Sequence, residues 1–122
     1  MVDDDESARY LFRKLLDGLP YQIEEAASGE EGLQRARKAP QLILLDLNMP
    51  DLGGAETLAQ LRANPVTSAI PVIVITSQTL TAAERDALLI EAEDVLSKND
   101  LSRATLLTAI KQAIDKKATS DT

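Results

Sequence analysis

Apolar positions along the chain fall into two alternating patterns. Ala8, Leu11, Phe12, Leu15 and Leu19 recur at helical spacing, and Gly18 and Pro20 close that segment. "YQIEEA" alternates briefly and reads as a strand. Ser28 opens a second helix through Leu33 and Ala36, stopped by Pro40. "LILL" is a short continuous apolar run, the pattern of a strand covered on both faces. Ala55, Leu58, Ala59 and Leu61 predict a third helix that stops before Asn64-Pro65. "PVIVI" is a second buried strand, rich in β-branched residues. Thr81 and Glu84 have the spacing of a capping box, predicting a helix through Leu88. "DVLS" is a weak strand. Leu107, Ile110 and Ile114 carry a last amphipathic helix, and residues 118–122 are expected to form a loose tail after a domain spanning 1–117.

The order is strand and helix in strict alternation, if "MV" at the start counts as a strand. That alternation implies a parallel sheet with helices on both faces. Such sheets bind ligands beyond the carboxyl ends of their strands. Four of these ends carry polar residues. Asp3 and Asp4 follow "MV", and Asp46 follows "LILL". Thr76 and Ser77 follow "PVIVI", and Lys98 follows "DVLS". An ionisable group directly after "LILL" is costly to bury unless it is paired, so Asp46 points to function without further help.

Composition narrows the chemistry. With 122 residues, 44% of them hydrophobic, the chain is long enough for one domain with a packed core. It has neither cysteine nor histidine. Disulfides, thiolate metal sites and Cys nucleophiles are therefore excluded, as are a Ser-His-Asp triad and His-ligated zinc. A net charge of −7 argues against a general nucleic-acid footprint. Aromatic residues at 2% are too few for base stacking. No apolar run reaches the roughly 18 residues of a membrane helix, and the charged start does not read as a signal peptide. What remains is chemistry with carboxylates, hydroxyls, a lysine and a hard metal ion. Three carboxylates about 5 Å apart repel by about 3 kcal/mol per pair at an effective dielectric near 20, more than one lysine offsets. A divalent cation with oxygen ligands would, and Mg²⁺ suits one or two carboxylates plus phosphate oxygens.

The motifs "VDDD", "LLDLNMPDLGG", "VIVITS" and "LSK", with the intervals between them, resemble those of response-regulator receiver domains of two-component signalling. The resemblance covers nearly the whole chain. It implies a flavodoxin-like (βα)5 three-layer α/β sandwich with strand order 2-1-3-4-5. It also implies Asp46 as phosphoacceptor, Asp3 and Asp4 as a Mg²⁺-binding pair with Asp4 the more direct ligand, and the Asn48 backbone carbonyl as a further ligand. Thr76 would be the hydroxyl that senses the phosphoryl group, and Lys98 the cation that pairs with it. The partners implied are a sensor histidine kinase or phosphotransfer protein in the cytoplasm and an output component, with no direct nucleic-acid or membrane partner. No catalytic turnover beyond self-phosphorylation and autodephosphorylation is expected.

Two other readings compete. A phosphatase of the haloacid-dehalogenase type also uses Asp and Mg²⁺, but wants a second Asp where Asn48 stands, and a cap domain. A receiver-like binding module that no longer takes phosphate would lack Asp46, the acidic pair or Lys98, and all are present. The chain departs from the family twice. Asn99 follows Lys98 where Pro is usual, and a cis bond before Asn costs about 3–4 kcal/mol, so a trans bond is expected. Val95 replaces the usual aromatic residue three before Lys98. Because only Met1 and Val2 precede Asp3 and a strand needs about five residues, the chain is expected to begin inside its first strand.

Overall fold

The computed structural model describes residues 1–19, 25–47 and 53–120, with side chains through 115. Three parallel strands, β1 (Ile43–Asp46), β2 (Val72–Thr76) and β3 (Asp94–Ser97), pair in that order. The register sets Asp46 beside Ile75 and Thr76 beside Ser97. Val2 extends the sheet past β1. It bridges Leu45 on one side and Ala26 on the other, both in parallel. Read across the sheet, the order is Ala26, Val2, β1, β2, β3, which is 2-1-3-4-5 for five segments. Val2 contributes one bridged residue rather than a strand of ordinary length. The expected strand over 21–26 lies outside the described residues except for Glu25 and Ala26.

Five α-helices are described: α1 (Glu6–Leu15), α2 (Gly29–Ala36), α3 (Gly54–Ala63), α4 (Ala82–Leu89) and α5 (Arg103–Ser120). Local signals account for most of their starts. The Ser28 side chain accepts from Glu31 N–H, and Thr81 with Glu84 forms the reciprocal capping box. Two ends differ from expectation. The first helix stops at Leu15, because the chain turns at Asp17 and Gly18, yet Leu19 still packs on the core. α5 continues to Ser120, into the stretch expected as a loose tail. Lys-Lys-Ala contains good helix formers and no breaker.

The continuous apolar runs of the strands feed two cores, one on each face. Leu44, Ile73 and Ile75 pack with Phe12, Leu16, Leu106 and Ile110 of the α1–α5 layer. Ile43, Leu45, Val72, Val74 and Val95 pack with Leu58, Leu61 and Ala36 of the α2–α3 side, where Leu88 of α4 also rests. Successive strand residues alternate between faces, so a strand covered on both sides must be apolar throughout. The helices cover β1 and β2 on both faces along their whole length, whereas the edge strand β3 is partly exposed. A cavity of about 730 Å³, lined in part by Met1, Leu42 and Ile114, lies at the amino ends. The polar residues gather at the carboxyl ends. Among the described residues no helix is long and apolar enough to cross a membrane.

Candidate functional site

Asp3 is placed by the backbone on either side of Val2. Val2 N–H donates to Leu44 O at 2.7 Å, and Asp46 N–H donates to Val2 O at 2.8 Å. On the other flank Ala26 N–H donates to Met1 O at 2.9 Å, and Asp3 N–H to Ala26 O at 3.0 Å. The same bonds tie Asp3 to Asp46, the last residue of β1. Both side chains are buried, Asp3 fully and Asp46 to 3% exposure.

Lys98 joins them from across the sheet. It opens a 3₁₀ turn, Lys98–Asp100, directly after β3. Its Nζ donates to Asp3 Oδ2 at 2.9 Å and lies 3.3 Å from Asp46 Oδ1. Burial opposes the charge on Lys98. The hydrogen bond and charge of Asp3, followed by Asp46, outweigh it and hold the ammonium above its ordinary pKa. The Lys98–Asn99 bond is trans, as expected, and Ser97 Oγ accepts from Asn99 N–H at 3.3 Å to stabilise the turn.

Asp4 completes an acidic cluster. Carboxylate oxygens of Asp3, Asp4 and Asp46 lie within 4.8 Å of one another, with Asp4 exposed. At that separation the buried pair Asp3–Asp46 repels by about 3.5 kcal/mol at an effective dielectric of 20. With one lysine, the four side chains sum to two negative charges. An all-oxygen, partly exposed cluster of that charge suits a hard divalent cation. The third aspartate of the run does something else: Asp5 caps α1, its Oδ1 accepting from Ser7 N–H at 2.9 Å.

Thr76 ends β2, buried, and its Oγ1 accepts from Gln78 N–H at 3.0 Å. The structure thus brings Asp3, Asp4, Asp46 and Lys98 into one cluster, and sets Thr76 on the adjoining strand end. Asn48 lies outside the described residues. Val95, which stands where the family carries an aromatic residue, is buried at 3% exposure.

Two neighbours of the site make contacts that were not read from the sequence: Arg9, which lies in no quoted motif, and Gly54, which closes the motif "LLDLNMPDLGG". Arg9 of α1 reaches Asp3 O with its Nη1 at 2.7 Å, a contact across six residues. Gly54, the first residue of α3, donates its N–H to Leu47 O at 2.9 Å. A Cβ at Gly54 would run into Asp46 O, Leu47 Cα and Leu47 O. The glycine therefore permits the close passage of α3 over the end of β1.

A doubly wound sheet with buried carboxylates at its carboxyl edge and a lysine tying the first strand segment to the last defines a receiver-type domain. Residues 1–111 match the family described as the response regulator receiver domain, and the chain belongs to that family. It is 36% identical over 99 residues to the KDP operon transcriptional regulatory protein KdpE of Escherichia coli, covering 80% of this chain and 43% of that protein. It is 35% identical over 79 residues to Protein PilH of Pseudomonas aeruginosa, covering 64% of this chain and 65% of that protein. The chain thus spans less than two thirds of either relative. Among solved structures, a CheY-like response regulator receiver domain protein from Methanospirillum hungatei superposes with a TM-score of 0.82 at 26% identity, covering 98% of this chain and 94% of the other.

Proposed function

We propose that the domain, residues 1–117, accepts a phosphoryl group on Asp46 from a cytoplasmic histidine kinase or phosphotransfer protein, and that this changes which partner it binds. The observation that carries the reading is the bridge of Lys98 Nζ to Asp3 Oδ2 and Asp46 Oδ1, which gathers three strand ends around one carboxylate. A carboxylate oxygen of Asp46 forms the new bond to phosphorus as the bond from phosphorus to the donor's leaving atom breaks. The product is a mixed anhydride on the protein itself, so there is no substrate turnover. Lys98 is already held beside Asp46 and moves from pairing its carboxylate to pairing a phosphoryl oxygen. Before transfer, Asp3 and then Asp46 outweigh burial and hold the Lys98 ammonium above its ordinary pKa. The Thr76 hydroxyl stands on the neighbouring strand end as a donor for a phosphoryl oxygen. Asp3, Asp4 and Asp46, with the carbonyl of Asn48, would hold Mg²⁺. When bound, that ion neutralises the carboxylates and the phosphoryl oxygens.

The test is incubation with Mg²⁺ and a small phosphodonor such as acetyl phosphate. Intact-mass measurement should show one phosphoryl group gained, and Asp46→Asn should gain none. Equal labelling of Asp46→Asn would refute the assignment.

A further inference from the structure

The acidic cluster depends on a peptide that the sheet does not hold. Pairing with Ala26 and β1 ends at Val2 and the Asp3 N–H. The Asp3–Asp4 peptide lies beyond it, and its orientation sets where both carboxylates leave the chain. Arg9 grips that peptide from α1. Its Nη1 donates to Asp3 O at 2.7 Å, while its Nε pairs with Glu25 Oε1 at 3.2 Å. The other oxygen of Glu25 is held by Arg13 Nη1 at 3.0 Å. Arg9 and Glu25 are mostly covered, at 16% and 23% side-chain exposure, whereas Arg13 is half exposed.

We propose that Arg9, aimed by Glu25, is a positioning residue that presets the Asp3–Asp4 peptide for cation binding. The proposal rests on the reading that the cluster holds Mg²⁺. A guanidinium suits the task because its planar fork offers donors at fixed angles, so one group can hold a carbonyl and a carboxylate at once. The bond to the carbonyl is charge-assisted and correspondingly strong. Asp3 Oδ1 also accepts from Asp5 N–H at 2.9 Å, which closes a turn over this peptide; Arg9 adds the hold on its carbonyl, and losing that hold returns part of the ordering cost to cation binding. The Arg9 contact takes only the backbone oxygen and so occupies neither carboxylate; the Asp3 oxygens already accept from Asp5 N–H and Lys98 Nζ, each at 2.9 Å, and Asp4 is exposed. Lysine at this position would keep the charge but could not span both partners in one fixed geometry.

The experiment is a Mg²⁺ titration of the metal-free protein by calorimetry, with amide shifts of Asp4 and Asp5 as a second readout. Arg9→Met and Arg9→Lys should each weaken Mg²⁺ binding about tenfold, the loss of one charge-assisted bond, while still melting cooperatively in EDTA. Glu25→Gln should weaken it about threefold. The double variant Arg9→Met/Glu25→Gln should be no worse than Arg9→Met alone, since Glu25 acts through Arg9. Arg13→Met, which touches Glu25 but not the cluster, should stay within about twofold of wild type. Wild-type affinity in Arg9→Lys, or full additivity in the double variant, would overturn the proposal. If Arg9→Met does not fold, Glu25→Gln decides: unchanged affinity overturns it. A wild-type protein that binds no Mg²⁺ would remove the underlying reading as well, whereas wild-type binding retained in the Arg9 variants would remove this proposal alone.

Discussion

Gly54→Ala isolates the packing of α3 against the phosphoacceptor strand. The new Cβ would lie 2.7 Å from Leu47 O and closer still to Asp46 O and Leu47 Cα. Ordinary carbon contacts fall near 3.5–4 Å, so the two backbones must part by roughly 1 Å. Overpacking of this kind costs about 1–3 kcal/mol. Backbone on both sides, with no flexible side chain to yield, places it near about 3 kcal/mol on that scale. Alanine returns at most about 1 kcal/mol of helix propensity at this first helical position, leaving a net loss of at least about 2 kcal/mol. For 122 residues each kcal/mol shifts the melting temperature by about 4 °C, so a fall of at least about 8 °C is expected in a thermal melt followed by circular dichroism. The displaced atoms include the carbonyl of Asp46, so phosphorylation by acetyl phosphate should slow at least tenfold at a temperature where the variant is fully folded. Gly53→Ala is the control. Gly53 has φ +81° with open space where a Cβ would sit, so alanine there carries conformational strain of about 1–3 kcal/mol without pushing on Asp46. It should lose stability and keep its phosphorylation rate. Gly54→Ala melting within 2 °C of wild type on this about 4 °C per kcal/mol scale, and labelling at the wild-type rate, would refute the reasoning.

Three further outcomes are expected. Arg62 donates to Glu91 O at 2.7 Å, Ile70 O at 2.8 Å and Ser68 O at 3.1 Å; Arg62→Met should cost about 2 kcal/mol in urea denaturation, and an unchanged midpoint would count against that clamp. Glu31 is held below the ordinary carboxyl pKa of 4.5 by the Ala27 N–H and then by the Arg35 hydrogen bond. Its folded pKa is depressed, so its contribution is present above pH 4.5 and is lost as pH falls through the folded value; a carbon-detected titration of Glu31 with its midpoint at or above 4.5 would contradict this. Val95 has one stiff χ1 and no ring to swing, so beryllofluoride with Mg²⁺ should shift the amides of residues 77–81 more than those of Val95 and α5, and the opposite map would be evidence against it.

The alternation of elements was legible in the chain because a strand covered on both faces must be apolar at every position, as "LILL" and "PVIVI" are. Helix starts at Ser28 and Thr81 were legible because capping bonds span only three residues. Candidate site residues could be named because polar groups directly after such strands meet at one edge. That edge contains Asp3, Asp4, Asp46 and Lys98, with Thr76 on the adjoining strand end. The resemblance singled out Asp3 and Asp4, with Asp4 the more direct ligand, but the residues by themselves do not show the division of labour within Asp3-Asp4-Asp5. Three identical side chains in a row carry no local difference. Only the pairing of Val2 and the direction of α1 bury Asp3 against Lys98, leave Asp4 exposed, and turn Asp5 into a cap. The same holds for Arg9 on Asp3 O and for Gly54 over Leu47. These contacts join separate segments across a turn, and their geometry exists only once the helices have docked on the sheet. Periodicity reports which face a residue takes; it is blind to which distant backbone that face will meet.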